Sequence, residues 1–224
     1  MWDWNYTFSI MPELLHAFLM TVYVTLAGFA VASVIGLILA VGARSRFVAV
    51  RIVVRCIVEF VRNTPLLVQV FFIFFSLPLL AGISLSAFAT GVIGLGLHYA
   101  TYLSEVYRSG IDGVPKGQWE AATALNMTKS RTWMSVVLPQ ALPPIVPMMG
   151  NYLIVMFKET PILMAVTVAE VLLAAKNIAS VTYRVFEPYT IVGVLFLVVS
   201  VVVSLLFRRL EKRMNRTNGP VLKG

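Results

Sequence analysis

Lys158 and Glu159 stand side by side at the end of a long uncharged run, Thr132 to Phe157, in a chain where only 12% of residues are charged. Charged groups at the margin of an apolar segment are costly to keep there, so they mark a functional position. Together they can pair with the carboxylate and the ammonium of a zwitterion; the plainer alternative is an interfacial ion pair. Thr160-Pro161 follows them, and Arg62-Asn63-Thr64-Pro65 repeats the order basic, polar, Thr, Pro. Thr is a good helix N-cap and Pro suits the first helical position, so each tetrapeptide predicts a break with a new helix starting at the proline. The free N–H groups of such a start attract a carboxylate. Lys158, Glu159 and Thr160 are therefore candidates for a solute pathway, with Gln69, Tyr102 and Glu170 as weaker ones. Glu170, alone in a short apolar segment, either lines an outer path or sits in the interface. Glu105 and Arg108, three apart on one helix face, predict a structural ion pair.

Other chemistries are excluded. No Gly-Lys-Ser/Thr phosphate loop occurs, so the chain does not hydrolyse ATP by that route. Cys56 is the single cysteine, which rules out an internal disulfide or a cysteine-based metal cluster. His16 and His98 lie far apart in apolar runs and predict helix packing rather than ligation. No metal site and no cofactor is expected in this chain. A composition 59% hydrophobic and 12% charged, against about 25% charged in soluble domains, indicates an integral membrane protein and excludes a soluble enzyme.

The net charge of +8 is distributed by sidedness, not as a nucleic-acid patch. Arg44, Arg46, Arg51, Arg55 and Arg62 follow the first apolar run, and Arg108, Lys116, Lys129 and Arg131 the third. Arg208, Arg209, Lys212, Arg213, Arg216 and Lys223 follow the last, which puts 15 of the 18 basic residues in alternate connections. By the positive-inside rule the N-terminus is outside and the C-terminus cytoplasmic, which requires an odd number of spans. Five are predicted in an all-α fold with one transmembrane domain over 1–224, near 14–43, 64–81, 85–108, 137–158 and 188–208. Ile162 to Ala175 is too short to cross and predicts a half-helix. Trp2, Trp4, Tyr6 and Phe8 suit the outer interface. Small residues in the first span (Gly28, Ala32, Gly36, Ala40) and the third (Gly91, Gly94, Gly96) predict close helix packing.

Between the third and fourth spans lies Gly117-Gln118-Trp119-Glu120-Ala121-Ala122-Thr123-Ala124-Leu125-Asn126, a charged island of high helix propensity. It predicts a surface helix over about 117–130 on the cytoplasmic side, suited to docking a soluble partner. Leu138-Pro139 follows at a fixed distance. This segment resembles the coupling motif of the permease subunits of bacterial ABC importers: Glu-Ala-Ala, three residues, Gly, and a Leu-Pro further on. Asn126 stands at the Gly position, and Asn is second to Gly at ending a helix in the left-handed conformation.

The resemblance extends from about residue 20 to 213 and is similar to the polar amino-acid permeases. Glu59 to Gln69 resembles their segment opening the second span, with Asn63 where Gly is usual. Tyr102 to Ile111 with Pro115-Lys116-Gly117-Gln118 resembles the run into the coupling helix, and Lys158-Glu159-Thr160-Pro161 the segment after the fourth span. The resemblance implies a type I importer permease in a bacterial cell membrane that catalyses no covalent chemistry. It implies a pair of permease subunits, identical or sister chains. Two separate ATPase subunits would bind ATP and Mg, and an extracytoplasmic solute-binding protein would deliver a polar amino acid or related zwitterion such as ectoine or betaine. It assigns Glu120, Ala121, Ala122 and Asn126 to ATPase coupling, with Trp119 and Leu125 as contacts, and predicts that Ala122→Trp inserts normally but uncouples. The rival reading is a stand-alone channel or ion-coupled carrier.

Overall fold

The computed structural model describes residues 2–217 of the 224, so Lys223 lies outside the described residues. All regular structure among them is helical. The helices are α1 (Trp4–Ala43), α2 (Val48–Arg62), α3 (Leu66–Ala81), α4 (Ala87–Asp112), α5 (Lys116–Ala124), α6 (Lys129–Val166), α7 (Val171–Thr182) and α8 (Phe186–Thr217).

Three of these, α1, α6 and α8, are long and apolar enough to cross a membrane, and the α2–α3 pair makes a fourth if its 102° bend is counted within one span. Helix α1 begins well before residue 14 because Asp3 caps it, accepting from the Tyr6 N–H at 3.1 Å, so Glu13 lies inside the helix. Helix α2 falls where a connection was expected. Its charges, Arg51, Arg55, Glu59 and Arg62, recur every three or four residues and therefore share one helical face. Helix α4 extends past 108 to Asp112. Helix α6 starts at Lys129 on a Thr128 cap and runs unbroken to Val166, through the expected end at 158. One-turn π-helical bulges, Phe72–Ser76 and Trp133–Val137, sit immediately ahead of Pro78 and Pro139. A widened turn absorbs the register that a proline ring would otherwise disrupt.

The segment from Ile162 to Ala175 divides in two: a 3₁₀ stretch, Thr160–Val166, stops at Thr167 (φ 59°), and α7 starts at Val171. Helix α8 reaches beyond 208 to Thr217.

Helices α1 and α4 form the most extensive pairing. Gly28, Ala32, Gly36 and Ala40, four apart, are buried along it. A Cβ on Gly36 would sit 2.9 Å from the Ala100 carbonyl oxygen, so only glycine permits this approach. Val24, Leu95, Leu103, Met156 and Leu163 form the central core, and Ile10, Leu14, Val171 and Ile178 a second cluster near the start of α1.

Ion pairs fasten both ends of α1. Arg184 bonds Asp3 at 3.1 Å and reaches Glu187 at 3.8 Å, while Arg44 pairs with Asp112 at the other end. The Tyr6 N–H, then Arg184, hold the Asp3 carboxyl below its ordinary value of 3.8. A lowered carboxylate contributes stability that is present above its unfolded pKa and is lost as pH falls through the folded one. Asp3→Asn keeps a capping oxygen but loses the charge. It is therefore expected to melt slightly earlier than wild type in detergent at pH 7, with the gap closing below the ordinary carboxylate range.

Helices α4 and α6 meet at Gly110, where an added Cβ would lie 2.3 Å from Ile145 Cγ1 and 3.1 Å from the Ala141 carbonyl oxygen. Gly110→Ala overpacks this contact, at a cost of about 1–3 kcal/mol. A lowered melting temperature of the purified chain checks it.

Candidate functional site

Two sites stand out, one at the α2–α3 bend and one on the short helix α5. The first is an open cavity of about 790 Å³ between the α2–α3 bend, α4 and the end of α6. The bend is held by side chains. Gln69 Nε2 donates to the Val61 carbonyl at 2.7 Å and to the Thr64 carbonyl and hydroxyl at 3.0 and 2.7 Å. Thr64 does not cap the next helix; its hydroxyl donates backward to the Phe60 and Val61 carbonyls. Pro65 is extended, and α3 starts one residue later than the Thr-Pro pattern predicts. Gln69 is thus a clamp on the break rather than a group facing the solute path.

Around this cavity the fold gathers Arg62, His98, Tyr102, Lys158 and Glu159. The Arg62 guanidinium lies 4.7 Å from the centre of the Tyr102 ring. His98 Nδ1 is 3.2 Å from Gln69 Oε1, and its ring is 5.3 Å from Tyr102. The Tyr99 hydroxyl donates to Glu159 Oε2 at 2.6 Å and so orients that carboxylate. Tyr99, Tyr102 and Tyr152 cluster with ring centres 5.7–6.3 Å apart, and Tyr102 among them lines the cavity. Lys158 and Glu159 themselves are exposed. Two cations and one carboxylate beside aromatic faces can bind a carboxylate and an ammonium at once.

Two expected residues stand elsewhere. Thr160 is fully buried, its hydroxyl donates to the Phe157 carbonyl at 2.8 Å, and the helix passes through it without a break. Its backbone therefore offers no free helix start, because a Pro in the second position of a 3₁₀ turn extends α6. Glu170 is also fully buried; it caps α7 by accepting from the Leu172 and Leu173 N–H groups at 2.8 and 2.7 Å. That is a structural role, not an outer path. His98, expected to serve helix packing, and Arg62, expected to head a helix break, both line the cavity. The signal that finds them is the spacing of His98 and Tyr102, four apart on α4.

The second site is α5. It ends at Leu125, with Asn126 left-handed at φ 51°. Asn126 N–H bonds the Thr123 carbonyl at 2.9 Å and Met127 N–H the Ala122 carbonyl at 3.0 Å. This pair of bonds is a Schellman cap, which stops the helix sharply. Lys129 therefore belongs to the next helix, and the surface helix is shorter than 117–130. Its inner face is fixed to α6: the Trp119 and Trp133 rings meet edge to face at 5.5 Å, and Ala122 is 2% exposed. Its outer face presents Glu120, Ala121 and Leu125, the last 75% exposed. Trp119 and Ala122 thus anchor the helix from below. With Ala122 buried there, Ala122→Trp is expected to push α5 off its seat as well as to disturb docking.

Apart from both sites, Arg108 Nη2 lies 2.9 Å from Glu105 Oε2 on α4.

Comparison with known proteins adds independent findings. Residues 32–216 match the family described as binding-protein-dependent transport system inner membrane component. The chain is 41% identical over 218 residues to a probable amino-acid ABC transporter permease protein of Sinorhizobium fredii, covering 96% of this chain and 93% of that one. It is 30% identical over 213 residues to the glutamine transport system permease protein of Escherichia coli, covering 95% and 97%. Among solved structures, an amino acid ABC transporter crystallised with histidines superposes with a TM-score of 0.89 at 34% identity, covering 95% of this chain and 99% of that one. The methionine ABC transporter in an inward-facing form is alike in fold alone, with a TM-score of 0.70 at 18% identity.

Proposed function

The chain belongs to the family of binding-protein-dependent transport system inner membrane components, and from that premise we propose how it works as the permease of an amino-acid ABC importer. It is a multi-pass membrane protein and a transport component. An amino-acid zwitterion occupies the cavity, its carboxylate toward Arg62 and Lys158 and its ammonium toward Glu159 and the Tyr102 ring. Helix α5 is the coupling helix. Its exposed Glu120, Ala121 and Leu125 dock an ATPase subunit, which binds ATP and Mg²⁺.

Two permease subunits, identical or sister chains, pair in a bacterial inner membrane, with two ATPases inside and a solute-binding protein outside. Helix α4 is the fifth crossing. Its 26 residues rise about 39 Å, and glycines, tyrosines and His98 on its packed face explain its modest apolarity. In this orientation, taken from the distribution of basic residues, the Asp3–Arg184 pair is at the outer end and the Arg44–Asp112 pair at the cytoplasmic end.

The observation that carries this reading is the sharply capped α5, seated by Trp119 on α6 while Leu125 projects into solvent. An apolar side chain so exposed on a short rigid helix fits a partner pocket. The test is affinity purification of the tagged chain from its native membrane in mild detergent. An ATPase co-purifying with it is expected; a well-inserted chain that brings down no ATPase would overturn the proposal.

A further inference from the structure

A second cavity, of about 420 Å³, opens where α1 ends, between its last turns, α2 and α4. No residue lines both this cavity and the solute cavity. Its lining is amphipathic. Ala40, Val54 and Val58 supply an apolar part. Arg51, Arg55 and Glu59 from α2, with Glu105 and Arg108 from α4, supply a charged one.

The partners of these five charges decide what the cavity can hold. Arg108 Nη2 lies 2.9 Å from Glu105 Oε2, and Glu59 Oε2 accepts from Asn63 Nδ2 at 3.2 Å. Arg51 Nη1 donates to the Ser45 and Arg46 carbonyls at 3.0 and 3.5 Å, which ties it to the link after α1. Arg55 makes no hydrogen bond or ion pair among the described residues, and it is exposed. Both carboxylates are thus engaged, while a whole guanidinium fork stands free, one helical turn from Arg51. Such a fork matches the oxygens of a phosphate in bidentate fashion.

The surroundings narrow the phosphate to that of a lipid. On the other side of α2, Val50, Val53, Ile57 and Phe60 recur every three or four residues and are exposed. Basic on one face and apolar on the other, α2 has the pattern of a helix at a membrane boundary. The cytoplasmic leaflet is itself negative, and basic pockets between membrane helices on that side suit anionic headgroups. A soluble phosphate would leave the apolar part of the cavity unused, whereas a phospholipid fills both parts.

We propose that this cavity binds one anionic phospholipid of the cytoplasmic leaflet. Its phosphodiester sits on Arg55, with Arg51 and Arg108 beside it, and the start of its acyl chains lies along Ala40, Val54 and Val58. The bound lipid bridges α2 to α1 and α4. That accounts for a helix with Val58 as its one buried residue: the lipid supplies the packing that the protein leaves out. The inference goes beyond the importer reading and takes from it only the sidedness.

The test is native mass spectrometry of the purified and delipidated transporter, permease with ATPase, in detergent. It is titrated with phosphatidylglycerol, phosphatidylcholine or glycerol phosphate. The expected result is one phosphatidylglycerol retained per permease chain, in preference to phosphatidylcholine and undisplaced by glycerol phosphate. Arg55→Gln should weaken that adduct about tenfold or more, the effect of losing one charge-assisted contact, while Arg55→Lys keeps part of it. Arg46→Gln removes a nearby cation outside the cavity and should leave the adduct unchanged. If Arg55→Gln fails to assemble with the ATPase, Arg108→Gln takes its place. Equal retention of phosphatidylcholine, or an adduct indifferent to Arg55→Gln, would overturn the proposal. Displacement by glycerol phosphate would make this a soluble-anion site, and no adduct on the assembled transporter would mean that protein covers the face; either result also overturns it. None of these outcomes touches the importer reading, whose failure would show earlier, as a permease purified without an ATPase.

Discussion

Glu159→Gln is expected to cut amino-acid uptake by about 10- to 100-fold, the cost of losing one charge-assisted hydrogen bond of about 1.5–3 kcal/mol to the solute ammonium. The substitution is isosteric and leaves an oxygen for the Tyr99 hydroxyl, 2.6 Å away in the native site, so the cavity keeps its shape. The loss should therefore fall on solute handling: uptake drops, while membrane insertion, co-purification with the ATPase and basal ATP hydrolysis remain. Lys158→Met is expected to weaken uptake less, because Arg62 remains to receive the carboxylate. Measuring uptake against solute concentration for both variants checks this. Full uptake by Glu159→Gln would remove the carboxylate from the solute site.

Leu125→Asp combined with Ala121→Trp is expected to release the ATPase. Both side chains face outward on α5, so neither touches the seat made by Trp119, Trp133 and Ala122. An exposed apolar anchor at a protein interface is worth about 2 kcal/mol or more, and a buried aspartate in its place would be worse than an absence. The double variant should insert and melt like wild type yet lose ATP-driven uptake. Ala122→Trp provides the contrast: with Ala122 2% exposed, it should lower the melting temperature as well. If the double variant retained the ATPase and full uptake, docking would lie elsewhere.

Much of this was legible in the amino-acid order because membrane helices and short caps are written in local chemistry. The surface helix could be placed from Glu120-Ala121-Ala122, and Asn126 carries the local chemistry of a left-handed stop, although the expected bounds ran past it to 130 and the helix ends at Ala124. The side-by-side charges Lys158 and Glu159 announced themselves by their cost in an apolar chain. Other features depended on three-dimensional neighbours. Helix α2 was hidden because its charges look like a polar connection when counted along the chain, and become one stripe only when wound at 3.6 residues per turn. Thr64 and Thr160 carry good capping chemistry, but both hydroxyls turn back to preceding carbonyls, a competing local bond that the Thr-Pro pattern does not distinguish. Glu170 illustrates the same limit: a lone acid in an apolar run signals either function or a cap, and the two N–H groups that decide it belong to the next helix.

The central claim is that this chain moves an amino acid only when an ATPase drives it. The most direct measurement is uptake of radiolabelled polar amino acids into proteoliposomes holding the purified complex, with and without internal ATP and external binding protein. Uptake that requires both, and that falls away with Glu159→Gln, is the predicted result. Uptake that proceeds down a gradient without ATP would contradict the account and identify a channel or an ion-coupled carrier instead.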